Sequence, residues 1–338
     1  MKMKKFIAFI AAAALTLSMA ACGENSTRDG GEITTTEITA AETVTETAEV
    51  GAAEETTAAA EAKTITDREG NTIEVPSSVN TIVSTAPSIT EILTGLGAGG
   101  RIIAADIYSA DVEGVDPAIC TLDFYNLNLE ELTALAPDVV IISGISMSGA
   151  DDPYAALKEA GINVIYVPTS ASIEAIKLDI EFLAAYTGTE AKGTELIAEI
   201  DSAVADISEK AKGITEKKSV YFEISAAPYL YSCGSDTFIN EVITLIGAEN
   251  IYAGESGWIS NSEESVIAAD PDVIITNVMY DGYDFNEIKT RAGWENLSAV
   301  KSGAVYQVDA NATSRPSQYI IGGIYEVAKA VYPEVYGE

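Results

Sequence analysis

Glu130-Glu-Leu-Thr-Ala-Leu-Ala-Pro137-Asp-Val-Val-Ile-Ile142 and Glu264-Ser-Val-Ile-Ala-Ala-Asp-Pro271-Asp-Val-Ile-Ile275 are two versions of one unit. In each, a glutamate stands seven residues before a Pro-Asp that ends a helical pattern and opens a run of β-branched residues, and the copies lie 134 positions apart. A second pair, Thr90-Glu-Ile-Leu-Thr-Gly-Leu-Gly-Ala98 and Asn240-Glu-Val-Ile-Thr-Leu-Ile-Gly-Ala248, recurs at an offset of 150. Internal repetition of helix–strand units at this scale predicts two similar α/β lobes.

Working outward, short apolar runs alternate with amphipathic stretches. Strands are expected at 81–84, 101–104, 138–142, 163–167, 219–222, 272–275 and 304–308. Helices are expected at 88–97, 129–136, 153–160, 172–186, 237–247, 263–269 and 316–331. Continuous apolar strands separated by helices mean parallel sheets covered on both faces. Ser88-Ile-Thr-Glu91, after Pro87, reads as a capping box opening the first helix. Leu196, Ile197, Ile200, Val204, Ile207 and Ala211 share one face of a long helix within 189–213. That gives an N-terminal lobe over 64–188, a single joining helix over 189–213 and a C-terminal lobe over 214–338, with a cleft between the lobes. Ligands favour such junctions.

Ahead of the lobes, Lys2, Lys4 and Lys5 precede an apolar run from Phe6 to Leu17. This is the pattern of a secretory signal over 1–21, shorter than the ~20 apolar residues a spanning helix requires. Ser18-Met-Ala-Ala-Cys22-Gly23 resembles a bacterial lipobox, which makes Cys22 the expected lipid attachment point, although Met19 stands where leucine is usual. Residues 22–63 are built mostly from Thr, Glu, Ala and Gly, with no aromatic and few large apolar side chains. Such a stretch buries too little to offset its ordering entropy and reads as a disordered acidic tether. The folded part is then expected on the outer face of the cytoplasmic membrane.

Charge and composition remove whole classes of function. Of the 338 residues, 52 are acidic and 19 are Lys or Arg, and residues 64–338 carry 42 acidic against 14 basic side chains, a net charge of −28. Phosphate backbones repel such a surface, so no nucleic-acid partner is expected. Histidine is absent, which eliminates Ser-His-Asp and Cys-His nucleophiles, HExxH zinc sites and histidine-ligated haem. Cys22, Cys120 and Cys233 form no CxxC pair, and no structural zinc or other resident metal or cofactor is expected. Cys120 and Cys233 fall on different lobes and are expected to be unpaired.

Four segments, in order behind the lipobox, carry a resemblance to a known family. They are Ile82-Val-Ser-Thr-Ala-Pro-Ser-Ile-Thr-Glu-Ile-Leu-Thr-Gly-Leu-Gly97, Asn128-Leu-Glu130 before Ala136-Pro-Asp138, Gly247-Ala-Glu-Asn-Ile251, and Arg315-Pro-Ser317. Together they resemble the ABC-importer substrate-binding lipoproteins of the cobalamin and ferric-siderophore class, in which one rigid helix joins two Rossmann-like lobes. The resemblance implies a monomer that performs no chemistry, captures a ligand and delivers it to a permease and its ATPase. It also implies that Glu130 and Glu264, one per lobe, dock on arginines of that permease. Two symmetry-related carboxylates near helix starts suit a paired basic partner on physical grounds as well. Their alternative role is to serve the helix dipole.

The loops at the carboxyl ends of the strands are where an open α/β sheet binds its ligand, and aromatics are dense there. The expected ligand-binding residues are Tyr108, Phe124, Tyr125, Tyr231, Trp258, Tyr280 and Arg315. The resemblance implies that Tyr108, Phe124, Tyr231 and Trp258 hold a corrin. Only Arg315, of the four arginines after residue 63, falls clearly in a cleft loop, and anionic ferric chelates ordinarily need several cations. A corrinoid, with its metal already chelated and broad apolar edges, fits best. Alternatives are a neutral ferric hydroxamate, then haem held through Tyr or Met147. An extracytoplasmic enzyme on the same scaffold would have only carboxylates, Tyr and Lys as bases. A surface adhesin would call for tandem repeats or a broad exposed patch.

Overall fold

Nine of the strands between residues 82 and 307 build two parallel sheets, one of five strands and one of four. The computed structural model describes residues 63–123, 126–144, 152–280 and 282–337. The expected signal segment, Cys22 and the expected tether up to residue 62 lie outside the described residues, as do Phe124, Tyr125 and Met147.

The first sheet contains β3 (Ile82–Ser84), β4 (Ile102–Asp106), β5 (Cys120–Leu122), β6 (Val139–Ser143) and β7 (Asn163–Val167), in the order β5-β4-β3-β6-β7. The second contains β8 (Ser219–Glu223), β10 (Glu249–Asn250), β12 (Val273–Thr276) and β13 (Val305–Gln307), in the order β10-β8-β12-β13. All neighbours within both sheets are parallel. Chain order reverses between β3 and its neighbours and again at β8, which puts a topological switch point in each lobe.

Two short antiparallel ribbons were not foreseen. One pairs β1 (Thr64–Thr66) with β2 (Thr72–Glu74), closed by a turn in which the Asp67 carboxylate accepts from the Glu69 and Asn71 amides. The other pairs β9 (Tyr231–Cys233) with β11 (Trp258–Ser260), segments read from sequence as loops. Three-residue strands carry too little period-two signal to stand out.

Helices cover the sheets: α1 (Pro87–Gly95), α2 (Leu129–Leu135), α3 (Ala155–Glu159), α4 (Ile173–Thr187), α5 (Glu190–Ala211), α6 (Phe238–Leu245), α7 (Glu263–Ala269), α8 (Ser298–Ser302), α9 (Ala310–Ser314), α10 (Ile320–Val331) and α11 (Pro333–Tyr336). The last long helix begins four residues later than expected, because Pro316 ends the short α9. The Ser88–Glu91 capping box does not form. Helix α1 starts at Pro87 with Ala86 as its cap residue and no side-chain cap, so Ser88 is already inside the first turn. The Glu91 carboxylate points away to Arg315 and Ser317.

The sequence repeats are repeated geometry. Asn128 caps α2 and Ser262 caps α7; both helices end at a left-handed residue, Ala136 or Asp270. The aspartate that follows then ties strand start to strand start. Asp138 accepts from the Thr81 amide and donates its own N–H to the Thr81 hydroxyl; Asp272 does the same with Ser219. The second pair matches as well. Gly97 and Gly247, at φ of +76° and +85°, close α1 and α6 with amide bonds running back to Thr94 and Thr244, and the next residues bond to Leu93 and Ile243. These are Schellman endings, which need an αL residue that glycine adopts without strain.

Side-chain alternation assigns the cores. Val139 and Ile141 of β6 and Val273 and Ile275 of β12 join one cluster with Leu196, Ile200 and Ile207 of α5. Val140 and Ile142 face a separate cluster under α2 and α3, and Ile274 another around Trp294. The inner faces of both lobes therefore share one apolar core through α5. Interiors of this kind resist shear because they are close-packed, so α5 joins the lobes as a stiff strut. Gly193 lets α4 and α5 approach: a Cβ there would lie 2.6 Å from that of Ala184.

Candidate functional site

A cavity of about 340 Å³ opens at the carboxyl ends of β3, β4, β6 and β7, where the first sheet has its switch point. Its walls are Thr85, Ala86, Pro87 and Ser88 after β3, Asp106 and Tyr108 at β4, Ser143 and Gly144 at β6, Thr169 after β7, and Ser314, Arg315 and Pro316 from the other lobe. Both lobes thus contribute. The N-lobe wall sets the hydroxyl-bearing residues Thr85, Ser88, Ser143 and Thr169 among apolar surface, with Tyr108 exposed beside them. The Asp106 carboxylate accepts from the Tyr108 amide and fixes the turn that presents this ring.

Arg315 crosses the cleft. Its Nη1 donates to Glu91 at 2.9 Å, and its Nη2 donates to Asp111 at 2.9 Å and to the Tyr108 carbonyl at 2.9 Å. Ser317 donates to the other Glu91 oxygen at 2.5 Å, and Gln318 to the Glu91 carbonyl at 2.7 Å. Burial pushes the Glu91 carboxyl up, against the pull of Ser317 and Arg315. Burial also acts on Asp111, but the hydrogen bonds from Arg315 and Asn311 win and hold it low. The guanidinium expected to greet the ligand is therefore mainly a tie between the lobes.

The other three described arginines are also engaged. Arg68 donates to Asp179, Arg101 to the carbonyls of Val79 and Thr187, and Arg291 to Glu223 and Glu287. An anionic chelate would have to recruit a guanidinium already bonded elsewhere, and breaking a buried pair leaves an uncompensated carboxylate.

Aromatics occupy the C-lobe side. Tyr229 and Tyr231 follow β8, Trp258 follows β10, and Met279 and Tyr280 follow β12; all five are exposed. The β9–β11 register puts Tyr231, Cys233, Trp258 and Ser260 on one face of the ribbon. Tyr280 lies against Tyr283, centroids 5.1 Å apart, and the Tyr283 hydroxyl reaches Glu223 at 3.4 Å. Burial pushes the Glu223 carboxyl up, and Arg291 compensates it beneath this pair. Among the residues expected to bind ligand, Tyr108 and Arg315 line the cavity itself. Tyr231, Trp258 and Tyr280 stand on the opposite lobe at the strand ends without being among its walls.

Sequence reading missed the hydroxyl wall. Ser143 directly follows the strand expected at 138–142, and the rule that strand carboxyl ends line the site could have pointed to it. Ser88 was assigned to a cap instead. Cys120 and Cys233 are both free thiols, on β5 and β9. Among the described residues no cluster of acidic or thiol side chains could hold a metal ion, and no helix is long and apolar enough to cross a membrane.

Glu130 and Glu264 occupy the same place in each repeat, the second helical residue of α2 and of α7, and both are exposed. Because α2 and α7 run into β6 and β12, their N-termini stand at the carboxyl-end side of the sheets, the side on which the cleft opens.

The sequence profile described as periplasmic binding protein matches residues 82–312. An uncharacterized ABC transporter substrate-binding lipoprotein of Bacillus subtilis, YvrC, is 34% identical over 280 residues, covering 81% of this chain and 87% of its own. A vitamin B12-binding protein of Vibrio parahaemolyticus is 26% identical over 74% of this chain and 89% of its own. The crystal structure of a possible iron-binding (periplasmic solute-binding) protein from Staphylococcus epidermidis superposes with a TM-score of 0.65 at 31% identity, covering 76% of this chain and all of that one. With the matched span running from β3 to α9, through both sheets and the helix that joins them, the chain belongs to the periplasmic binding protein family.

Proposed function

We propose that this protein is the extracytoplasmic solute-binding component of an ABC importer, tethered through Cys22, that captures a pre-chelated metal complex and performs no chemistry on it. A corrinoid is the ligand that fits best. The observation that carries this is the pairing of an aromatic C-lobe rim with a hydroxyl-lined N-lobe wall, in a cleft whose arginine is already bonded to two carboxylates. Flat apolar faces stack on Tyr and Trp, while amide edges exchange hydrogen bonds with serine and threonine. The vitamin B12-binding relative supports the same reading. Glu130 and Glu264 would then meet basic pockets on the permease, fixing register and speeding encounter.

Calorimetric titration of the protein with cyanocobalamin tests the reading. Saturable one-to-one binding at micromolar affinity or tighter is expected, and Trp258→Ala should weaken it by ~1–3 kcal/mol as a stacked anchor. No heat would move the ligand to ferric hydroxamates and then haem; the structural neighbour from Staphylococcus epidermidis, described as a possible iron-binding protein, supports an iron-bearing ligand in that case.

A further inference from the structure

We propose that the N-terminus of α1, with Ser88 and Ser143, forms a subsite that takes an acceptor oxygen of the ligand. It rests on the solute-binding reading and names the part of the ligand that this wall of the cleft recognises.

Three features meet at one wall. Helix α1 opens with Ala86 at the cap, Pro87 next and no acidic residue in its first turn. The Ser88 and Ile89 amides therefore have neither a side-chain cap nor an intrahelical acceptor, and the partial positive charge of the helix end is uncompensated locally. Residues 85–88 line the cavity, so that end faces the space a ligand would fill. Ser88 and Ser143 line it too, each only 8% exposed. Neither hydroxyl has a hydrogen-bond partner among the described residues.

The contrast with the hydroxyls nearby is informative. Ser84, Thr90 and Ser109 form a closed buried chain, with O···O distances of 2.8 and 3.0 Å. Thr85 donates to the Ile141 carbonyl. Ser88 and Ser143, by contrast, open onto one cavity wall beside an uncapped helix end with no protein partner for their hydroxyls, so they are donors available to an acceptor in the cavity. Arg315 adds positive charge across the cavity, while Asp106 limits how much negative charge the site tolerates. One oxygen-bearing group suits this balance. In a corrinoid it is either a peripheral amide carbonyl or the phosphodiester of the nucleotide loop.

The test uses the full chain, its Ser88→Ala, Ser143→Ala and double variants, and two probes, cyanocobalamin and dicyanocobinamide, which lacks the nucleotide loop. A loss of affinity on the order of tenfold in the double variant is expected. Loss confined to cyanocobalamin identifies the phosphodiester, and equal loss for both probes identifies an amide carbonyl. If the wild type binds a corrinoid and the double variant binds it equally well, the subsite is overturned. If the wild type binds neither, the corrinoid reading fails on its own, and inorganic phosphate alone decides the subsite. Its titration should then move the Ser88 and Ile89 amide resonances saturably, and resonances that stay in place overturn the proposal.

Discussion

Arg315→Met is the substitution that most directly tests how the lobes are held. The wild-type guanidinium makes four contacts of 2.9–3.2 Å, three of them to the carboxylates of Glu91 and Asp111 on the opposite lobe. The side chains of Arg315 and Glu91 are 12% and 5% exposed, whereas that of Asp111 is half exposed. Methionine keeps much of the stem's packing but leaves Glu91 buried with Ser317 as its remaining side-chain donor. Removing one partner of a buried pair costs about 3–5 kcal/mol. The lower end applies here, because the cavity beside Arg315 admits water and the Asp111 contact is screened. Urea unfolding at neutral pH should show a loss near 3 kcal/mol. The pH dependence follows from burial, which already pushes Glu91 up and in the variant acts against less opposition. A carboxyl raised in the folded state contributes stability that is present below its unfolded value and is lost as pH rises through its folded value. The deficit of the variant should therefore shrink as pH falls from neutral toward the ordinary carboxylate range. Glu91→Gln in the same background should recover most of it. A deficit below ~1 kcal/mol, or one that Glu91→Gln leaves untouched, would refute the reasoning.

Two further outcomes are expected. Glu130→Ala combined with Glu264→Ala should leave ligand affinity unchanged and abolish uptake in cells, since both side chains stand exposed on α2 and α7 outside the cavity wall; unimpaired uptake would remove the docking role. Gly193→Ala should lower the unfolding midpoint by the equivalent of ~1–3 kcal/mol through overpacking against Ala184, and Ala184→Gly in the same chain should restore it.

The fold was legible because its determinants are local and duplicated. Pro-Asp after an amphipathic heptad marks a helix end and a strand start, and the structure uses both copies in the same way, down to the Asp138–Thr81 and Asp272–Ser219 exchanges. Gly193 lowers helix propensity within α5, yet it is a point of close approach between α4 and α5. That reason is tertiary and leaves no trace in propensity. The brief β9 and β11 strands were invisible for a related reason: their pairing is a contact across 25 residues, and neither has the length to declare a period.

The candidate site was legible only in its aromatic half. Tyr231, Trp258 and Tyr280 announce themselves by type, because large rings in polar loops are conspicuous. Serines are not. Ser88 fitted a capping pattern whose hydrogen bonds it does not make, and what distinguishes it is a missing partner, a property of three-dimensional context alone. Arg315 lines the cavity, as a cleft-loop position suggests, but its bonds to Glu91 and Asp111 from the opposing lobe, more than 200 positions away in sequence, could not be read from the sequence. These two facts bear on each other. If the cleft arginine is already committed, recognition on the N-lobe wall falls to neutral donors, and the uncapped end of α1 supplies them without adding a formal charge to a protein that already carries −33. A ligand that presents one apolar face to the C-lobe rim and one oxygen-bearing edge to α1 satisfies both walls. A uniformly anionic one meets the α1 wall alone and leaves the aromatic rim unused.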